Sequence, residues 1–250
     1  MDSLTQIKMA KLTKKQKAAR KKLCLPLDNL NSIKDIKSII KELSPYVGLF
    51  KIGKETFTKF GPEAVKLVKK HGSDVFLDLK YHDIPNTVKG ASKAASDLGV
   101  YMFNVHASGG LDMMKAAVEA KGKKAKIIAV TILTSIDRKI MNKDLNIKDN
   151  LEKQVLHLAK LAKKAKLDGI VCSSKDLKFI KNKLPKNFMF ITPGIKGPTT
   201  KAGSDQKRVN TPRNAIKDGA SILVVGRAIT KAKNKAKAAL EVLDDMAKEL

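Results

Sequence analysis

DVFLDLKYHDIPNT, residues 74–87, is the stretch on which the fold is read. Its first half is an apolar, β-rich run, and Ile84-Pro85 then turns the chain toward a helical pattern. Asp78 and Lys80 stand two residues apart, so on a strand both side chains leave from the same face. Leu77 and Leu79 leave from the other face, toward covering helices.

The same unit recurs in both directions along the chain. Strand candidates are LCLPLD (23–28), LFKIG (49–53), DVFLDLK (74–80), YMFNVHA (101–107), KIIAVTIL (126–133), GIVCS (169–173), FMFITPGI (188–195) and SILVVGRAI (221–229). Between them lie stretches such as SIKDIKSIIKEL and LEKQVLHLAKLAKKA, with apolar residues three and four apart, the spacing of an amphipathic helix. Gly72, Gly99 and Gly219 sit where helices should end. Strands separated by single helices imply parallel pairing with right-handed crossovers. Eight such units in a chain of 250 residues predict an α/β fold of the (β/α)8 TIM-barrel type, one domain over 23–250. An open doubly wound sheet is the runner-up, and it lacks a G-x-G-x-x-G turn after the first strand.

Residues 1–22 are Lys-rich with a poor apolar stripe and read as a mobile basic extension. No apolar run approaches the roughly 18 residues of a membrane span, and no secretory or organellar leader is evident. Cys24 and Cys172 lie in separate apolar runs without C-x-x-C spacing, which suggests buried thiols in a reducing cytoplasm. The net charge of +27 raises the question of nucleic acid. Its distribution argues against specific binding: the basic residues are nearly all scattered Lys, with five Arg, and aromatic residues are not interleaved with them.

In a (β/α)8 barrel the chemistry sits at the C-terminal ends of the strands. Those positions hold Asp28, Lys51, Asp78 with Lys80, His106, Thr134, Gly194 and Gly226-Arg227. Lys51, Asp78, Lys80 and Asp83 brought together would form an alternating chain of cations and anions in a poorly solvated mouth. Each charge would hold its neighbours ionised. A purely structural ion-pair network is the alternative, but four desolvated charges are a weak way to stabilise a barrel. The long loop 196–210 and Gly226-Arg227 follow strands seven and eight, where such barrels bind phosphate.

With these residues in view, the chain resembles the orotidine 5'-phosphate decarboxylases, closest to the bacterial single-domain type. FLDLKYHDIPNT matches their D-x-K-x-x-D motif followed by I-P-x-T. LPLDN, FKIGKETFTKFGP, NVHASGG, AVTILTS, GIVCS, TPGI, GSDQKRV-x-TP and VVGRAIT agree in order and spacing, over roughly residues 23–230. The resemblance implies a cofactor-independent, metal-free conversion of orotidine 5'-phosphate to UMP and CO2. In that reading Lys80 protonates C6 of the pyrimidine, Asp78 lies against the departing carboxylate, and Lys51 joins them. It implies a homodimer with shared sites, to which Asp83 and the ribose-binding Thr87 come from the partner subunit. Asp28 matches a contact to the ribose hydroxyls, Thr134 one to the pyrimidine, and Gln206 a residue closing over the ligand. Arg227 grips the phosphate, with backbone amides near Gly194 and Gly226. Lys196 stands where bacterial members more often carry Arg. His82 and His106 are given no catalytic part. The sugar-phosphate branch on the same scaffold requires magnesium and carries Glu on strand two, where this chain has Lys51.

Overall fold

The computed structural model describes residues 12–197 and 210–250. Eight strands, β1 (Leu23–Pro26), β2 (Leu49–Gly53), β3 (Asp74–Tyr81), β4 (Met102–His106), β5 (Lys126–Val130), β6 (Gly169–Val171), β7 (Met189–Thr192) and β8 (Ile222–Val224), alternate with helices. They pair in sequence order and close on themselves, β8 returning to β1, with each pair parallel.

The period of two along each strand sorts the apolar residues into two separate cores. Cys24, Leu49, Phe76, Met102, Ile128, Ile191 and Ile222 pack on one another inside the barrel. Their chain neighbours Leu25, Phe50, Leu77, Phe103, Ile127, Phe190 and Leu223 join the larger core between barrel and helices. The inner layer fills the lower barrel, as side chains do in closed eight-stranded sheets. Two residues further along the inward phase stand Lys51, Asp78 and Asn104, polar residues on a floor of hydrocarbon.

Several strands stop earlier than their apolar runs. β5 ends at Val130, β7 at Thr192 and β8 at Val224, although Ile132, Ile195, Val225 and Ile229 are all buried. Those residues are covered in the βα connections at the barrel mouth. An apolar run records burial, and it does not distinguish a buried turn from a strand. Pro193 also lacks the N–H that would extend the β7 ladder. Arg227, inside the expected eighth strand, opens a short helix, Arg227–Thr230.

The second half of the basic N-terminal segment is not the mobile extension that its composition suggests. Lys14–Lys22 is a helix whose Thr13 and Gln16 form a reciprocal capping box. Ala19 is fully buried, and the helix packs on the last helix, Lys235–Ala247, and on β8. The Arg20 guanidinium donates to Ser44 O at 2.8 and 3.2 Å. Residues 1–11 lie outside the described residues.

Candidate active site

β3 delivers Asp78 and Lys80 in an unusual way. Leu77 pairs with Phe103 and Tyr81 with Val105, so four steps along β3 face two along β4. The slack is taken up as a bulge in which Lys80 has φ +53°, a left-handed conformation that a residue with a side chain seldom adopts. Its backbone N–H donates to Asn104 Oδ1 at 2.8 Å. The same Asn104 donates through Nδ2 to Asp78 Oδ1 at 2.7 Å.

Around Asp78 the charges alternate. Lys80 Nζ lies 2.7 Å from Asp78 Oδ1, and Lys51 Nζ lies 3.2 Å from Asp78 Oδ2. Lys51 Nζ also lies 3.2 Å from Asp28 Oδ2. The chain therefore runs Asp28, Lys51, Asp78, Lys80. Asp83 is not its fourth member within one chain: it is exposed and accepts from the N–H of Ile84 at 2.7 Å. A Cβ on Gly53 would come within 2.9 Å of both Asp28 Oδ1 and Lys51 Nζ, so the bare backbone there leaves room for that ion pair.

Lys51 and Asp78 are 9% and 8% exposed, which makes their ionisation a contest. Burial works against the Lys51 ammonium, but Asp78 and Asp28 outweigh it and raise its pKa. Burial likewise works against the Asp78 carboxylate, yet Lys51 and Lys80, with hydrogen bonds from Lys80 and Asn104, hold it below the usual range. Both groups stay charged because each is the other's counter-ion. Below them, burial pushes the Cys24 thiol up, out of reach of nucleophilic use at neutral pH.

The cluster forms one wall of a cavity of about 660 Å3 at the C-terminal mouth of the barrel, within the size range of small-ligand sites. Asp28, Lys51, Asp78, Lys80, Thr134, Gly194, Lys196, Gly226 and Arg227 all line it. Beyond β8, next to β1 in the barrel, Gly226 stands at the N-cap of the short helix that Arg227 begins. Ile195 and Asn210 bridge the two ends of the long β7 connection: Lys196 N–H donates to Asn210 O at 3.0 Å and Asn210 N–H to Gly194 O at 3.3 Å. Gln206 lies outside the described residues. Thr87, like Asp83, is exposed and is not part of the cavity lining.

His82 and His106 stack at 5.5 Å between ring centroids. Burial first, then the nearby cations, lowers His106 to a pKa of about 4, so at neutral pH it is uncharged. Among the described residues no three His, Cys, Asp or Glu side chains are grouped to hold a metal ion. Asn104 is the residue that motif reading passes over. Its signal was a lone amide on the inward phase of an otherwise apolar strand, between Met102 and His106.

Orotidine 5'-phosphate decarboxylase of Geotalea daltonii is 43% identical over 234 residues, spanning 91% of this chain and 97% of that one. Its counterpart from Teredinibacter turnerae is 47% identical over 221 residues, 87% of this chain and 94% of that protein. The crystal structure of orotidine 5'-phosphate decarboxylase from Lactobacillus acidophilus superposes with a TM-score of 0.78 at 33% identity, over 90% of this chain and 98% of that chain. With the barrel, the D-x-K-x-x-D strand and a match over residues 21–242, this chain belongs to the Orotidine 5'-phosphate decarboxylase / HUMPS family.

Proposed function

We propose that this enzyme decarboxylates orotidine 5'-phosphate to UMP and CO2, without a cofactor or metal ion, in pyrimidine biosynthesis. The observation that carries the reading is the Lys51–Asp78–Lys80 cluster facing a cavity that Arg227 and Gly226 also line. One end suits a phosphate dianion, since a guanidinium can bind two of its oxygens at once. The other end suits a reaction that builds negative charge on carbon.

The C6–carboxylate bond breaks, its electron pair stays on C6, and CO2 leaves. The Lys80 ammonium, aimed at that carbon, stabilises the pair and then gives C6 a proton; solvent returns one to the amine. Asp78 holds Lys80 in place and lies beside the departing carboxylate, and Lys51 keeps Asp78 ionised. Asp28 meets the ribose hydroxyls, Thr134 the pyrimidine edge, and Gly194, Lys196 and Gln206 complete the phosphate end. The sugar-phosphate branch fits less well, because the Lys51 ammonium stands where a divalent cation would need a carboxylate.

We further propose a homodimer with shared sites, working in the cytoplasm. Asp83 and Thr87 are exposed and stand apart from their own cavity, and Ile84 between them is 67% exposed. An apolar side chain so placed suits burial against a second copy, which would bring Asp83 and Thr87 to its partner's ligand. Cys24 and Cys172 are buried as reduced thiols, which fits a reducing compartment.

Loss of orotidine absorbance on adding purified protein to orotidine 5'-phosphate tests the reaction, with turnover unchanged by EDTA. Activity lost to EDTA and restored by magnesium would favour the sugar-phosphate branch. Mixing inactive Lys80→Ala and Asp83→Ala subunits should restore part of the activity. Subunits that exchange without any rescue would remove the shared site.

A further inference from the structure

Asn104 touches both members of the reacting pair without reaching the cavity. It is 1% exposed and absent from the cavity lining, so it lies beneath the site rather than in it. Its two bonds fix the orientation of its amide. A backbone N–H can only donate, so Oδ1 must face Lys80 N; an ionised carboxylate can only accept, so Nδ2 must face Asp78. The Asp78 Oδ1 that accepts from Asn104 also accepts from Lys80 Nζ, again at 2.7 Å. A closed ring results: Asn104 to Asp78, Asp78 to the Lys80 side chain, and the Lys80 main chain back to Asn104.

That ring coincides with the backbone strain. Lys80 is one of four non-glycine residues described with positive φ, and it sits in the β3 bulge opposite Asn104. Strained backbone persists where surrounding contacts over-determine it. Leucine at 104 could make neither bond, and aspartate could only accept. Only a neutral amide of this length supplies one acceptor and one donor to these two partners at once.

We propose that Asn104 is a positioning residue that holds Lys80 in its left-handed conformation and aims the Asp78–Lys80 pair at the reacting carbon. This rests on the reading of that pair as the reacting groups. Because Asn104 itself does not line the cavity, its loss should act on the chemical step and spare binding.

The test compares wild type with Asn104→Leu, which is similar in volume and lacks both bonds, and with Asn104→Asp, which keeps only the acceptor. For Asn104→Leu, kcat should fall on the order of 100-fold, the scale of a small misplacement of reacting groups, while KM changes by less than about threefold, the pattern of an interaction expressed in the transition state. The acid limb of its kcat profile should move to higher pH, since Asp78 loses a hydrogen bond that keeps it ionised. The other groups facing Asp78 (Lys51, Lys80, Asp28, Cys24 and His106) are unchanged in the variant.

A folded Asn104→Leu with wild-type kcat and acid limb would overturn the assignment, and so would equal losses in kcat and substrate affinity. If the leucine variant does not fold, Asn104→Ser, which leaves space for water at both partners, is measured by the same criteria. A wild type that leaves orotidine 5'-phosphate intact would instead refute the function. The positioning claim would then be read from a crystal structure of the variant: Lys80 should relax to negative φ, and a retained positive φ would refute it.

Discussion

Two aspartates in this barrel each sit between two lysines, at opposite ends. Asp78 meets Lys51 and Lys80 at the C-terminal mouth at 3.2 and 2.7 Å. Asp168, just before β6, meets Lys121 and Lys126 at 2.9 and 3.0 Å and also accepts from the N–H of Ile127 at 2.9 Å. In composition and distance the clusters are nearly interchangeable. Their surroundings differ. The Asp168 side chain is 17% exposed against 11% for Asp78, and it clamps the turn into β6 against the start of β5. Asp78 is almost wholly enclosed, shares Lys51 with a second carboxylate, faces a cavity and pairs with a lysine on strained backbone. An Asp between two Lys is thus no site by itself. The cavity, the end of the barrel and the backbone strain distinguish one that can do chemistry from one that fastens a turn.

The sharpest way to break this contrast is to remove one charge from each end. Lys80→Ala should leave a folded protein whose turnover falls by at least ~10³-fold, toward the upper range for loss of a general acid. Near-wild-type turnover in that variant would erase the distinction. Elsewhere on the cavity lining, Arg227→Ala should weaken binding of the phosphorylated substrate by about 10- to 150-fold, the equivalent of one charge-assisted hydrogen bond of ~1.5–3 kcal/mol. Its effect on the phosphate-free nucleoside should be smaller, and equal effects on both would detach Arg227 from phosphate.

Asp168→Ala should do the reverse of Lys80→Ala. We expect kcat unchanged and a loss of about 1–2 kcal/mol in denaturant unfolding, modest because solvent reaches the Lys126 partner and screens that pair. A drop in kcat without a drop in stability would contradict the structural role.

The smallest effect separates the two ends by pH. Asp78 and Asp168 both have folded pKa values below their ordinary ones, so their stabilisation is complete above the unfolded carboxylate pKa and is lost as pH falls through the lower folded values. His106 acts earlier. With a folded pKa of about 4 against 6.5, the unfolded chain takes up a proton that the native one refuses, so stability declines as pH falls through that interval. A shoulder in the urea midpoint between pH 6.5 and 4 should therefore belong to the mouth of the barrel. His106→Asn should flatten it, and an unchanged slope would assign the shoulder elsewhere.

Local pattern carried much of this molecule. The alternation of β-rich and helical segments is written in side-chain periodicity, and eight such units leave few arrangements other than a closed parallel barrel. The period of two put Asp78 and Lys80 on one face before any coordinates, and the Thr13-x-x-Gln16 capping box marked the first helix for a reader who weighed it above composition. Strand ends were less legible, because burial continues into the turns at the mouth.

Residue order along the chain thus determined the barrel, the inward-facing pair on its third strand and the family. Tertiary structure alone decided that Asp28 rather than Asp83 completes the charge chain within one copy, that Lys80 is bent into a left-handed conformation, and that Asn104 lies beneath both. It also decided that Asp168, flanked by the same residue types, is an anchor. The reason is physical: periodicity depends on neighbours a few residues away, whereas a charge acquires its role from groups more than twenty residues distant, brought within 3.2 Å only when separate strands pair in the barrel.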